Sequence, residues 1–335
     1  MPAASLARLR QRAEIVEWVR AFFRGRGVLE VQTPILCAAG SVDAHLDPIP
    51  ARCRAAGRRT MYLMTSPEHS MKRLLGAGSG PIYQITRAFR DGERGRLHNP
   101  EFTILEWYRP GWDHHALMDE VEALVAGVLE QFGGAGAAPR PFHRITYRDA
   151  FERALRIDPH RASAEELARL AQREGVAPTE KQPQPQERDD WLDLLLVTRV
   201  EPTLGFDRPA FVLDYPASQA ASARIRGPHS GPCATGEGDA PVAERFELYV
   251  RGVELANGYH ELLDAREQQR RYAAANRKRR AAGKRSLPID RRLLAALRAG
   301  VPASSGVAVG LDRVIMVALG AQQIDEVIAF PIERA

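Results

Sequence analysis

The stretch FRDGERGRLHNPEFTILEWYR at residues 89 to 109 constrains the fold more than any other part of the chain. Upstream, IYQITRAFR (82 to 90) offers Ile82, Tyr83, Ile85 and Phe89, and downstream EFTILEWYR offers Phe102, Ile104, Trp107 and Tyr108. Aromatic and β-branched side chains suit a pleated, half-buried surface, so both runs predict strands. Between them lie the ten residues Asp91 to Pro100, whereas a hairpin usually closes with about two to five. So long a loop, carrying Arg94, Arg96, His98 and Asn99, is built to hold a ligand, and its arginines suggest an anion such as phosphate. Period-two alternation puts Phe102, Ile104, Glu106 and Tyr108 on one face of the second strand and Thr103, Leu105 and Trp107 on the other. A carboxylate among rings is costly unless it meets a cation. Glu106 with Tyr108 therefore reads either as a receptor for an ammonium group or as a solvated edge residue.

The remaining elements follow from local signals. With 335 residues, 44% of them hydrophobic, the chain can bury a sizeable core. MPAASLARLRQRAEIVEWVRAFF scatters charge through every turn and predicts an amphipathic helix, not a signal peptide. RGVLEVQTPIL (26 to 36) predicts a turn and a short strand ended by Pro34. SPEHSMKRLLGAG (66 to 78) predicts a helix with Ser66 as cap, Pro67 at its first position and Glu68 behind it. GAGSG (76 to 80) follows that helix instead of a strand, so it is a turn and not a dinucleotide loop. A further helix is expected at about 114 to 132. The polar segments at about 177–190 and 226–241 are expected as mobile loops. Cys37, Cys53 and Cys233 are too few and too scattered for a disulfide framework, and no apolar run spans a membrane, which fits a cytoplasmic protein.

Two later segments carry chemistry. In RFELYVRGVELANGYHELLDAREQQRRY, Glu254, Asn257 and Glu261 bracket Gly258, and carboxylate oxygens are the ligands Mg²⁺ takes in nucleotide sites. In SGVAVGLDRVIMVALG (305 to 320), a small-residue strand runs into a helix with Arg313 on its first turn. Close approach of backbone to a ligand explains Gly306 and Gly310, and the helix start with Arg313 favours an anion. The net charge of +5 suits an acidic partner. The sharpest basic cluster, NRKRRAAGKR (276 to 285), suits RNA, an acidic protein or plain solvent, since no aromatics interleave it.

Together RGVLEVQTP, FRDGERGRLHNPEFTILEWY and GVAVGLDR resemble the three motifs of class II aminoacyl-tRNA synthetases, specifically the lysine-type catalytic domain. TSPEHSMKRLL, GVELANGYHELLDAREQQRR and DEVIAFP also resemble that family, so the likeness covers nearly the whole chain. It implies an α+β fold, an antiparallel sheet flanked by helices, as a single catalytic domain over 1–335. The first helix begins almost at Met1, which implies the absence of an N-terminal OB-fold anticodon domain. With HNPEFTILEWYRP, PASQA (216 to 220) and VAERFELY (242 to 249), the chain is similar to the elongation factor P lysine ligase family, which aminoacylates a lysine of that factor instead of tRNA.

That resemblance implies ATP and Mg²⁺ as cofactors, (R)-β-lysine or lysine as substrate, elongation factor P as acceptor, no tRNA, and a homodimer formed through the first helix and RGVLEVQTPIL. It implies catalytic roles for Arg90, Glu254, Glu261 and Arg313. Arg90 meets the α-phosphate, Arg313 the γ-phosphate, and Glu254 and Glu261 carry magnesium. ATP is further contacted by Asp91, Gly92, Glu93, His98, Asn99, Leu255 and Gly310, with Phe102 under the adenine. The substrate meets Ser66, Pro67 and Glu68, the last at the backbone amine, and Asn257 at the carboxylate. Glu106, Tyr108 and Glu261 take the distal ammonium, with Tyr259 and Ala308 lining the pocket. The chain departs from the family at Gly92, where a Glu usually holds the adenine amino group, and at Ala308, where tRNA-charging relatives have Gly. Two alternatives stand beside this expectation: a truncated lysyl-tRNA synthetase-like enzyme charging tRNA or a small molecule, and a non-catalytic amino-acid-binding regulator.

Overall fold

The long loop between two aromatic-rich strands is present as expected. Ile82–Phe89 and Glu101–Pro110 pair antiparallel, in register from Ile82 opposite Tyr108 to Phe89 opposite Glu101. The computed structural model of the protein describes residues 1–57, 59–134, 138–176, 185, 187–227 and 240–335. Contacts divide the chain into two compact units, Met1–Ala138 with Glu261–Ala335, and Pro139–His260. Cys233 and most of the two expected mobile loops lie outside the described residues.

In the first unit the hairpin is flanked by Leu29–Glu30, parallel to Ile82–Phe89, and by Ser304–Gly310, antiparallel to Glu101–Pro110. A small antiparallel sheet of Leu36–Cys37, Thr60–Leu63 and Pro50–Arg52 accompanies them. The odd face of the hairpin is core. Tyr83 stacks on Phe23 of the first helix, Leu6–Arg24, with ring centroids 4.4 Å apart, and Trp107 meets the same ring edge-on at 5.2 Å. Trp107 also donates its indole N–H to buried Glu120 at 3.0 Å, which satisfies the polar edge that such a ring brings inside. Asp113 caps the helix His114–Phe132 by accepting from the Ala116 N–H.

The second unit has its own sheet, in the order His143–Thr146, Ala210–Pro216, Val242–Val250, Val253–His260; the first pair is parallel and the others antiparallel. Helices Tyr147–Leu155, Ala164–Arg173 and Arg188–Leu195 bury Phe151, Leu167, Leu170 and Leu192 in one apolar cluster with Tyr215 and Tyr249. The sheets are thus mainly antiparallel and flanked by helices, an α+β arrangement, with one parallel pair in each unit.

The basic cluster changes character in three dimensions. Arg279, on the helix Ala265–Ala281, is 3% exposed and bonds Asp47 together with the backbone oxygens of Asp43, Leu46 and Arg285. Lys284 also pairs with Asp47, at 2.8 Å. Arg277, Arg280 and Arg285 remain exposed. No described helix is long and apolar enough to cross a membrane.

Candidate active site

Strand register in the first unit assembles one set of candidate side chains. Glu106 lies opposite Ala308 on one side and Gln84 on the other, and Tyr108 lies opposite Gly306 and Ile82. Directly opposed residues share a face, so Gln84, Glu106, Tyr108, Gly306 and Ala308 line one surface. Glu106 is 2% exposed, which excludes the solvated-edge alternative. It accepts hydrogen bonds from the hydroxyls of Tyr108 and Ser66, each at 2.7 Å. Burial and then the charge of Glu68 push its carboxyl up to about 7, against those two hydrogen bonds and Lys72. Burial, then Glu106, holds the Tyr108 phenol well above its ordinary range, so it stays a donor.

Gly306 is required by close approach, though to the chain itself and not to a ligand. A Cβ there would sit 2.2 Å from a Tyr108 ring carbon and 2.5 Å from Glu261 Oε1. The neighbouring helix starts one residue later than expected, at Glu68, with Pro67 as its cap residue. Ser66 Oγ accepts from the Glu68 N–H at 3.0 Å while donating to Glu106, so one hydroxyl ties the helix start to the strand. Lys72, one turn along, places Nζ 2.7 Å from Glu68 Oε1 and 2.6 Å from Glu261 Oε2. Burial alone would lower its pKa, but Glu261 and Glu68 outweigh burial and hold it protonated. Glu261, expected to carry magnesium, therefore sits against an internal cation.

The hairpin loop supplies a second cluster. Arg313 donates to His98 Nε2 at 2.6 Å. A guanidinium only donates, so that nitrogen is unprotonated. Burial, with Arg313 and Arg90 nearby, lowers the imidazole to about 4, and it is neutral at physiological pH. The Arg90 guanidinium lies 4.9 Å from the centre of the Phe102 ring and 3.6 Å from Glu93. Gly310 caps the helix Leu311–Ala318 that carries Arg313. Gly92 has φ +76°, which explains why no Glu stands there, since a side chain at that backbone conformation is strained.

One expectation for this loop needs correction. Arg94 pairs with Glu333 at 2.5 Å and Asp325 at 2.9 Å, and Arg96 bonds the Gln322 carbonyl, so both arginines bind the chain's own C-terminal segment and not an anion. Asn99 donates to the Glu101 carbonyl and accepts from the Ile332 N–H, which braces the loop. Asp91 is exposed and its N–H bonds the Asp47 carbonyl.

The second unit holds Glu254, Leu255, Asn257 and Tyr259. Register aligns Arg245, Glu247 and Tyr249 with Tyr259, Asn257 and Glu254, all on one face, with a bulge that leaves buried Leu255 unopposed. Glu247, missed in the sequence, is the hub. It is 6% exposed and accepts from Tyr215 and Tyr249 at 2.5 Å each, from Asn257 at 2.8 Å and from Arg245. Asn257 keeps a buried side-chain oxygen without a donor among the described residues. The signals for Glu247 were the alternation of RFELYV and the tyrosine two residues on. For Lys72 the signal was its position one helical turn after Glu68 in a chain with only four lysines among 47 basic residues.

Comparison with known proteins agrees with this geometry. The family described as tRNA synthetases class II (D, K and N) matches residues 3–334. The elongation factor P–(R)-β-lysine ligase of Enterobacter sp. (strain 638) is 48% identical, covering 100% of this chain and 98% of that one. The protein of the same description from Erwinia tasmaniensis is 48% identical, covering 99% and 97%, and that of Klebsiella pneumoniae (strain 342) is 47% identical, covering 100% and 98%.

Proposed function

Because the chain belongs to the class II tRNA synthetases of the D, K and N type, and to the group of elongation factor P–(R)-β-lysine ligases within it, we propose that it activates (R)-β-lysine with ATP and transfers it to a lysine side chain of elongation factor P. The observation that carries this is the pocket of Glu68, Glu106 and Glu261 around the buried ammonium of Lys72. Burial holds the Glu106 and Glu261 carboxyls up to about 7 beside Glu68 and the one cation, so a diamino acid, which supplies two ammonium groups, would draw them into the ionised form. Glu68 takes the amine nearer the carboxylate; Glu106, Tyr108 and Glu261 take the distal one. Ala308, opposite Glu106, forms the floor between them.

In the first step an oxygen of the substrate carboxylate attacks the α-phosphorus, the bond from that phosphorus to the bridging oxygen breaks, and pyrophosphate leaves. Positioning and charge stabilisation supply most of the acceleration. Arg90 faces the α-phosphate and Arg313 the γ-phosphate. Neutral His98 orients Arg313 by accepting one of its N–H groups, while Phe102 supports the adenine and Asn257 the substrate carboxylate. Carboxylate oxygens suit magnesium. Glu254 would hold it, with Glu247 on the same sheet face as the second carboxylate in place of Glu261. There the ion would neutralise charge on the departing pyrophosphate. In the second step the acceptor amine attacks the carbonyl, loses a proton, and AMP leaves with the anhydride oxygen. Exposed Arg277, Arg280 and Arg285 steer an acidic acceptor.

Two copies associate through the Leu29–Glu30 edge, where Leu29 and Ile35 are exposed; light scattering at the mass of one chain would contradict this. Activation is tested by ATP–pyrophosphate exchange with (R)-β-lysine, with α-lysine and with no amino acid. Exchange that requires a lysine isomer is expected, and exchange indifferent to both isomers would overturn the assignment.

A further inference from the structure

Lys72 takes no part in the steps above, yet only 2% of it is exposed, and its ammonium bridges Glu68 and Glu261 at 2.7 and 2.6 Å. A buried ion pair is weak evidence for stability, because well-packed apolar residues often serve as well. Its presence calls for another reason. All but four of the 47 basic residues of the chain are arginine, and Lys72 is one of those four. An ammonium is a compact point charge with three donors, able to draw two carboxylates to one position, whereas a guanidinium is a planar fork that spreads its partners.

The two carboxylates are anchored independently of Lys72. Glu68 begins a helix whose first N–H is held by Ser66 Oγ, and that hydroxyl also binds Glu106. Glu261 is fixed through its own N–H to the Ser304 carbonyl at 3.0 Å, and its Oε1 faces Gly306, where no side chain could fit. The ammonium is the brace between these anchors.

We propose that Lys72 is a positioning residue for the amino acid: by fixing the separation of Glu68 and Glu261 it sets the distance between the two amine sites, and so selects substrates by the spacing of their two nitrogens. This rests on the proposed function, in which each of those carboxylates receives one amine. Moving the near amine from the second to the third carbon of lysine shortens the path between the nitrogens by one methylene and leaves the carboxylate and the distal amine unchanged. Braced carboxylates register that difference. Carboxylates held by a fork, or by nothing, adapt to either isomer.

The test compares wild-type protein, Lys72→Arg and Lys72→Met in ATP–pyrophosphate exchange with (R)-β-lysine and α-lysine, with and without added ethylammonium. Lys72→Arg is the deciding variant, because it keeps a cation beside the buried carboxylates while changing its shape. It should raise KM for the preferred isomer roughly tenfold, with kcat little changed, and bring the two isomers to near-equal kcat/KM, the size of effect one methylene supports. Lys72→Met should lose discrimination at least as far and regain part of its KM when ethylammonium supplies the missing charge. Lys72→Arg with wild-type KM and wild-type isomer preference would overturn this proposal alone. Wild-type protein that exchanges with neither isomer would overturn the functional assignment and this proposal with it.

Discussion

Glu106→Gln should stabilise the ligand-free protein at pH 8, slightly destabilise it at pH 5, and disable it at both. In the folded chain the carboxyl of Glu106 is pushed up to about 7 by burial and by Glu68, from an ordinary value of 4.5. Between those two values the folded state keeps a proton that the unfolded state has released. Stability therefore falls as pH rises through that window and stays lower above it. At about 1.4 kcal/mol per unit the loss reaches up to about 3 kcal/mol. Glutamine has no such slope. It offers one acceptor oxygen to the hydroxyls of Ser66 and Tyr108, which costs about 1 kcal/mol. The variant should thus be more stable by about 2 kcal/mol at pH 8 and less stable by only about 0.2 kcal/mol at pH 5, where the wild type has already lost about 0.8 kcal/mol. Urea unfolding at the two pH values measures both. Removing a charged partner of the substrate ammonium, worth about 2–3 kcal/mol, should meanwhile lower kcat/KM for lysine-dependent exchange roughly 30- to 150-fold. An unchanged difference in stability between pH 5 and pH 8 would show that Glu106 is ionised when folded and refute the reasoning.

Gly306→Ala should cost about 1–3 kcal/mol in urea unfolding, because Tyr108 and Glu261 leave its Cβ no room; wild-type stability would mean that the strand yields easily. Glu254→Gln should nearly abolish pyrophosphate exchange while preserving the thermal melt, and exchange at the wild-type rate would remove Glu254 from the metal site. Arg277→Glu with Arg280→Glu should slow labelling of elongation factor P several-fold, more at low salt, and leave adenylate formation unchanged. Labelling at the wild-type rate would place docking elsewhere.

The hairpin was legible because alternation is a local property, and the same alternation put Glu106 and Tyr108 on one face before any partner was known. Their surroundings were not legible. Ser66 read locally as a helix cap and by resemblance as a substrate contact, but its bond to Glu106 stayed hidden because that partner lies forty residues on. Arg94 and Arg96 looked like an anion site because a charged loop reads alike whether it faces phosphate or the chain's own Asp325 and Glu333. Lys72 and Glu247 escaped notice for a related reason: a lone lysine in a helix and a lone glutamate in a strand gain meaning only when the fold brings distant carboxylates or tyrosines to them. Arg279 shows the converse. Its neighbours in sequence advertise a surface charge, and the fold spends it inside, on Asp47.

The most direct test of the account is intact-mass spectrometry of elongation factor P after incubation with this protein, ATP and magnesium, with (R)-β-lysine or α-lysine in separate reactions. A gain of one lysyl residue on a single lysine side chain, dependent on ATP and larger with (R)-β-lysine, is the predicted result. An unmodified factor, alongside tRNA charged with lysine by the same preparation, would contradict it.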